Sequence, residues 1–486
     1  MASWKKIGIA LALSSVFPAT QALSEVCTEI QRAISHASAV YSPSGSGNYT
    51  ADNAHWVASS IEESACTVEP ATAADVSAII KIIGKTKTPF AVKSGGHATN
   101  PGYSSTTGVQ IAMTRFNAVK YDKKSGTVAI GAGQIWDDVY AKLEPLGVVA
   151  PGGRVPGVGV GGFTLGGGYN WLSNQVGLTV DIVVSYELVK PNGDIVTVTQ
   201  TSSPDLFFAL KGGYNNFGIV TQFTYKAFPI DKVWGGLIAY GAAQTAEFNT
   251  AFANFAANAA DPKAALVSGY ALDATGAPIV GNIMFYDGPT PPPGVFDAFL
   301  KIKNISSDIG TRTLSSLVAS APQTLPAGTR GYFNTMSFFE YTDAIATAIL
   351  NETTFWGPVV AKYDPSALAG YHMETFYKSF LTHNTTATAW PFYRSKKFVP
   401  LQMQFTWNNP KVDKIMQGFM EQSAAHLTVV ANRDGQPIQQ LPLYPNYGLF
   451  SNGAERVYGS NLPRLKAIKG QVDPQNVMGL AGGWKV

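Results

Sequence analysis

The sequence predicts an α+β protein made of two differently textured parts. Between residues 66 and 229, short strand-like runs alternate with amphipathic helical runs, and glycine is dense. Between residues 233 and 440 glycine thins and aromatic residues rise, as in an antiparallel sheet with helices over one side. A chain of 486 residues has room for two to four domains at about 100–200 residues each, with large buried cores.

The elements follow in order. Residues 71–85 read as a helix, because Val76, Ile79, Ile80 and Ile83 recur on one face. Residues 90–93 form a short strand that runs into Ser94-Gly95-Gly96, and residues 109–113 and 127–130 are strand-like. Residues 135–143 read as a helix ended by Pro145. Strands at 182–188 and 195–198 flank Pro191-Asn192-Gly193-Asp194, a hairpin turn. Residues 206–210, then Gly212-Gly213, then 218–228 give helix, turn and strand. In the second part, 279–286 is a mostly apolar strand and 289–293 a proline-rich loop. Residues 401–407 alternate, with Gln402, Gln404 and Thr406 on one face and Met403, Phe405 and Trp407 on the other. A last helix spans 462–469, with a break expected at Gly470 before Pro474.

Composition narrows the function. A net charge of +3 with 14% charged residues is too weak to point to nucleic acid or an anionic membrane. Lys5 and Lys6, the apolar run 7–17 and Thr20-Gln21-Ala22 read as a secretory signal at 1–22; the alternative is a buried N-terminal helix. No later run reaches 18 uninterrupted apolar residues. The two cysteines, Cys27 and Cys66, suggest one disulfide in a secreted chain, with two unpaired thiols as the alternative. Asn48, Asn304, Asn351 and Asn384 lie in N-x-S/T sequons, candidate glycosylation sites.

Four segments carry the chemistry. In the first, Lys93-Ser94-Gly95-Gly96-His97-Ala98, a strand end meets two glycines and offers converging backbone N–H groups to an anion. The second is 152–168, where nine of 17 residues are glycine. Such density brings backbone close to a ligand or turns it at positive φ. It includes Gly157-Val158-Gly159-Val160-Gly161-Gly162, a literal G-x-G-x-x-G, with Asp181 near the spacing of a ribose-binding acid. The preceding PGGRVP cannot be the strand a Rossmann unit requires, so the match reads as a glycine loop lining a pyrophosphate. The third segment is DLFFALKGG at 205–213 with FGIVT at 217–221. The fourth is Tyr444-Pro445-Asn446-Tyr447, followed by YGSN at 458–461 and DPQNV at 473–477.

In this order the four segments resemble the berberine-bridge-enzyme-like FAD-linked oxidases of the vanillyl-alcohol-oxidase, PCMH-type fold, and most of all the secreted fungal oligosaccharide oxidases. The resemblance implies a two-lobed FAD-binding domain from residues 62–232, completed by a returning C-terminal segment at 441–486. Residues 233–440 are then an inserted substrate domain, and 23–61 an N-terminal arm. It implies FAD bonded covalently through His97 alone, because Val155 stands where many relatives carry a second, cysteine tether. It places Lys93, Ser94, Gly95, Gly96, Ala98, Gly133, Pro156, Gly157, Val158, Gly161, Gly162, Gly168, Asp181, Gly218, Ile219, Val220, Asn446 and Tyr447 against the cofactor. Lys93 stands where relatives often have arginine, giving a point charge instead of a fork. Tyr214 and Asn215 replace two glycines of the relatives and add bulk beside the groove.

The implied reaction is a two-electron oxidation of an alcohol carbon, in which a base takes the hydroxyl proton, hydride passes to the flavin and O2 becomes hydrogen peroxide. Tyr447 is the implied base. A free phenol titrates near about 10, so it needs a lowered pKa or a proton acceptor in concert; the alternative is that Tyr447 only bonds the flavin edge. Tyr444 is a weaker candidate, and Gln404 a substrate contact. Val158, three residues after Val155, is the implied oxygen gate, valine going with oxidases and leucine with dehydrogenases. The expected substrate is an oligosaccharide oxidised to a lactone. Tyr332, Trp356, Trp390, Phe392, Tyr393 and Trp407 could stack on sugar rings, with half or more of them in the core. The alternatives are a small aromatic or alkaloid-like substrate of secondary metabolism, and a non-catalytic flavin or sugar binder. His36, His55, His372, His383 and His426 are expected in ordinary core or surface roles, and no metal-ligand cluster stands out. A secreted monomer without nucleic-acid or membrane partners is expected.

Overall fold

A computed structural model describes every residue except 1–15, 46, 322–324, 384–385 and 392–396. The glycine-rich part forms two sheets. In the first, Ala39–Tyr41, Cys66–Glu69, Val109–Ala112 and Phe90–Lys93 lie side by side, the last three parallel. In the second, Val119–Asp122, Thr127–Gly131, Ile219–Lys226, Val183–Val189 and Ile195–Thr199 are antiparallel throughout. The helix Ala73–Thr86 packs beside them, with Val76, Ile79, Ile80 and Ile83 fully buried. Burial of each such side chain contributes about 1.5–3 kcal/mol. Thr72 caps that helix by accepting from the Asp75 amide, which is why it starts two residues later than the apolar pattern suggests.

The helix Val16–Ala33 runs across the expected signal cleavage site; most of the apolar run before it lies outside the described residues. Its later half buries Val26 and Ile30, and Cys27 is disulfide-bonded to Cys66 at the start of the first parallel strand.

The middle of the chain is an eight-stranded antiparallel sheet. Its order is Ser306–Ser307, Val233–Tyr240, Pro278–Tyr286, Ala264–Leu272, Leu368–Glu374, Val399–Trp407 and Arg330–Phe338, with Gly310–Arg312 also paired to the second of these. The helices Thr245–Asn258, Asp343–Ala361 and Asp413–Arg433 cover one face. Tyr371 reaches that side to bond Ser423 of the last helix at 2.8 Å, and Met403, Phe405 and Trp407 are fully buried there, as their alternation predicts. The opposite face is free to meet the glycine-rich part.

One sequence expectation is corrected, and another, that half or more of the aromatics named for sugar stacking are core, holds. The C-terminal helix runs Leu462–Val472, straight through Gly470. It is ended by Asp473, whose carboxylate accepts from the Val477 and Met478 amides at 2.8 Å each and pairs with Lys469 at 3.1 Å. One mid-helix glycine costs only about 1 kcal/mol, less than these bonds return. Among the aromatics offered for sugar stacking, Tyr332, Trp356, Trp390 and Trp407 are all core residues, and Phe392 and Tyr393 lie outside the described residues. Asn48, Asn304 and Asn351 are exposed, and Asn384 lies outside the described residues. After the last sheet helix the chain returns to the first part, where Ala481 bridges Phe90 and the Trp484 carbonyl accepts from Asn216 at 2.7 Å. Among the described residues no helix is long and apolar enough to cross a membrane.

Candidate active site

The two glycine segments meet backbone to backbone. A Cβ on Gly95 would lie 2.5 Å from the Gly159 nitrogen, and one on Gly159 would lie 2.2 Å from the Gly95 nitrogen, so neither position tolerates a side chain. Ser94 fixes the approach by donating to the Ala132 carbonyl at 2.6 Å and accepting from the Gly161 amide at 3.4 Å. Gly157, at φ +80°, faces the next residue of interest: its Cβ would stand 2.9 Å from His97 Nε2. Trp56 stacks on the His97 ring with centroids 5.5 Å apart. Burial, reinforced by nearby His55, holds the His97 imidazole down to about 4. The ring is therefore neutral at physiological pH, with a nitrogen lone pair available for bonding. Gly162 differs from its neighbours in the segment: it is exposed, and a Cβ there would meet nothing within 4 Å. A neutral imidazole beside an open glycine loop fits a flavin dinucleotide.

Across from His97 stands the returning C-terminal segment. Its short turn Pro445–Tyr447 carries the phenol expected to act as base. Tyr447 donates to Glu374 Oε1 at 2.8 Å and accepts from Arg154 Nη2 at 3.0 Å. The same guanidinium nitrogen lies 2.7 Å from Glu374 Oε2, and both of these side chains are nearly inaccessible. Burial first, and the Glu374 charge second, push the Tyr447 phenol well above its ordinary value, with Arg154 pulling the other way. Tyr447 thus keeps its proton, and of the two routes open to a phenol base only the one with a proton acceptor in concert remains. Glu374 Oε1, which already accepts the Tyr447 hydroxyl at 2.8 Å, is the group placed for that. Neither Glu374 nor Arg154 stood out in the sequence: one ends a sheet strand, the other sits between Gly153 and Val155.

Glu374 also shows which face of the eight-stranded sheet meets Tyr447. Alternation places His372 on the same face. Gln402 lies directly opposite His372 on the next strand, and Gln404 lies opposite both Gly370 and Phe333. Phe333 touches the rings of Tyr447 and Trp56, closing a path of aromatic contacts back to His97. The His372 ring rests over Gly269, where a Cβ would come within 2.6 Å, and its buried Nδ1 has no hydrogen-bond partner among the described residues.

Burial drives the His372 imidazole from its ordinary 6.5 to about 4. Below pH 6.5 the unfolded chain takes up a proton that the folded one refuses, so this contribution to stability is intact above pH 6.5 and is lost as pH falls toward 4. Replacing the ring by a non-titrating amide, His372→Gln, is expected to make the protein about 2 kcal/mol less sensitive to that acidification. Urea unfolding at pH 7 and pH 4.5 measures it; equal sensitivity in both proteins would contradict the assignment.

The remaining expected cofactor residues divide. Lys93 is buried, with Nζ directed at the Ala51 carbonyl at 3.2 Å and Asp52 nearby. Asp181 accepts from the Leu178 amide at 3.0 Å and lies 3.7 Å from buried Lys211. Gly133 and Gly218 are accounted for by protein alone, since a Cβ would strike the Met113 carbonyl at 1.8 Å or the Val189 carbonyl at 2.4 Å. Gly168 turns at φ +83° against Phe163 and Thr179, and Ile219 and Val220 are buried in their strand. Gly96 packs over Lys93, while Ala98, Pro156 and Val158 are partly buried beside His97 or its loop. The Val158 carbonyl accepts from the Trp136 amide at 2.9 Å. Tyr444, the second base candidate, accepts from the Gly168 and Tyr169 amides at 3.1 Å and from Asn446 at 2.8 Å, so its oxygen is already saturated.

A family model of the FAD binding domain matches residues 64–199, and a model described as berberine and berberine like matches residues 443–481. The FAD-dependent monooxygenase drtC of Aspergillus calidoustus is 36% identical over 311 residues, covering 63% of this chain and 59% of that protein. The FAD-dependent monooxygenase sdcF of Emericella nidulans is 30% identical over 439 residues, covering 87% of this chain and 90% of that protein. In fold, 6-hydroxy-D-nicotine oxidase from Arthrobacter nicotinovorans superposes with a TM-score of 0.77 at 20% identity, over 93% of this chain and 98% of that one. Xylooligosaccharide oxidase from Myceliophthora thermophila, in complex with xylobiose, gives 0.76 at 18% identity, over 96% and 99%. The two glycine segments that meet beside His97, the matched segments at both ends of the chain and the near full-length relative lead to one conclusion: the chain belongs to the berberine-bridge-enzyme-like FAD-linked oxidoreductases.

Proposed function

We propose that this protein is a secreted FAD-dependent oxidase that takes hydride from a hydroxyl-bearing carbon of a hydroxyl-rich substrate, most simply an oligosaccharide, and passes the electrons to O2. The observation that carries this reading is the Tyr447 hydroxyl held between Glu374 and Arg154. When bound, the flavin supplies the two-electron acceptor and its own reoxidation by oxygen. His97 would hold it by its free imidazole nitrogen, and the loop around Gly157 and Gly162 would give it room.

The chain's own residues manage the proton. Tyr447 takes the substrate hydroxyl proton as it gives its own to Glu374 Oε1, so no full phenolate charge develops in the buried site. Arg154, paired with that carboxylate at 2.7 Å, fixes its direction toward Tyr447. His372, Gln402 and Gln404 then present a row of polar groups on the same sheet face. A ligand with several hydroxyls would satisfy them, whereas a purely apolar one would leave the buried His372 nitrogen without a partner. A second reading is favoured by the curated relatives, which are named as FAD-dependent monooxygenases: a hydroxylated aromatic product of secondary metabolism, bearing fewer hydroxyls, would use the same relay.

Anaerobic mixing of the yellow protein with cellobiose, xylobiose, chitobiose and a set of benzylic alcohols tests both. Bleaching by the sugars supports the first reading, bleaching by aromatic alcohols alone supports the second, and bleaching by none contradicts the oxidase assignment. Admitting air tests Val158 as the oxygen gate. Reoxidation within seconds with stoichiometric peroxide is expected; a reduced flavin that persists for minutes would contradict it.

A further inference from the structure

Tyr214 adopts a backbone conformation that L-residues with side chains avoid. Its φ is +52°, and among the described residues only Lys87 and Asn476 otherwise share this without being glycine. Such strain persists where the surroundings over-determine it. The surroundings here form one connected network. The Tyr214 hydroxyl donates to Asn446 Oδ1 in a short bond. Asn446 Nδ2 donates onward to the Tyr444 oxygen at 2.8 Å and to the Phe163 carbonyl at 3.0 Å. Tyr444 is pinned in turn by the amides of Gly168 and Tyr169. Its ring stands edge-on to that of Tyr447, at 87° and 4.8 Å between centroids. Asn446 is the central residue of the three-residue turn that ends in Tyr447. Gly166 completes the arrangement: a Cβ there would fall 2.0 Å from Asn446 Oδ1 and 2.5 Å from the Tyr214 hydroxyl.

We infer that Tyr214 is a positioning residue, which, through Asn446 and Tyr444, sets the turn that aims the Tyr447 hydroxyl at Glu374. The inference rests on the reading of Tyr447 as the proton carrier. The chemistry asks for such a brace, because Tyr447 must keep a 2.8 Å donor bond to Glu374 while a substrate hydroxyl competes for its oxygen. The turn is only three residues long and is not itself part of a strand or a long helix. A fixed amide on one side and a fixed ring on the other limit the rotation left to Tyr447.

The test uses the flavin-loaded protein and two variants that reach Asn446 from opposite sides. Tyr214→Phe keeps the ring and removes the hydroxyl; Gly166→Ala keeps the hydroxyl and pushes Asn446 aside. Both are expected to bind wild-type amounts of flavin, to lower kcat about 10-fold or more with KM within twofold, and to shift the pH profile of kcat in the same direction. Crystal structures of the two are expected to show the Tyr447 hydroxyl moved off Glu374. A preserved Tyr447–Glu374 bond, or a kcat within twofold of wild type in Tyr214→Phe, overturns the inference. Tyr447→Phe keeps the two failures apart. If that variant turns over normally, the reading of Tyr447 is wrong; if it is inactive while Tyr214→Phe is normal, only the bracing role is wrong.

Discussion

Tyr447→Phe is expected to slow flavin bleaching by substrate about 10³-fold, the scale on which a positioned general base acts. The variant keeps the ring that packs against Phe333 and Tyr444 and loses only the oxygen between Glu374 and Arg154. Glu374→Gln is expected to cost a similar factor for a different reason. The phenol would still be present, but burial holds its own proton tightly, and an amide cannot take that proton in its place. Flavin content should stay close to wild type in both variants, since each substitution is near-isosteric and leaves His97 and the glycine segments untouched. Rapid-mixing absorbance under anaerobic conditions measures the rate. A variant within tenfold of wild type would remove its residue from the proton path.

His97→Ala carries the second large effect. After acid precipitation the wild-type pellet is expected to be yellow, and the supernatant colourless. In the variant the colour is expected to move to the supernatant or to be lost in purification. Geometry motivates this: the ring is held neutral by burial, stacked on Trp56, and set with its Nε2 against Gly157. A colourless wild-type pellet would show that no covalent bond exists. A yellow pellet from His97→Ala would assign the bond to another residue.

Much of the flavin-binding part was legible because its constraints are local. Glycines at 95 and 159 are required by a mutual backbone approach, and Gly157 by its φ of +80° against the His97 ring, all a few residues from recognisable strand and helix patterns. Even there, glycine has more than one cause: Gly133 and Gly218 answer to neighbouring carbonyls, a distinction no sequence pattern contains. Lys93 and Asp181 look like ligand groups in sequence, yet each is engaged by protein atoms that come from elsewhere in the chain. The catalytic neighbours of Tyr447 were not legible. Glu374 and His372 are assigned by strand register, and register depends on pairing across more than a hundred residues, from Val267 to Glu374. Arg154 sits in a glycine loop with no periodic pattern to mark its direction. The one usable signal was alternation: Gln402 and Gln404 were placed on a common face, and that face proves to be the one Glu374 shares. Gly470 shows the reverse case, a local breaker overruled by the pairing of Lys469 with Asp473 and by the Asp473 amide bonded to the Lys469 carbonyl.

The central claim is that Tyr447 and Glu374 form one proton relay. A double-mutant cycle on anaerobic flavin bleaching tests it most directly, with whichever alcohol of the panel reduces the wild-type protein fastest. If the two residues act as a unit, Tyr447→Phe/Glu374→Gln should be no slower than the slower single variant, within about threefold. Two losses that multiply, giving a double variant slower by the product of the single effects, would show that the residues act independently and would contradict the relay.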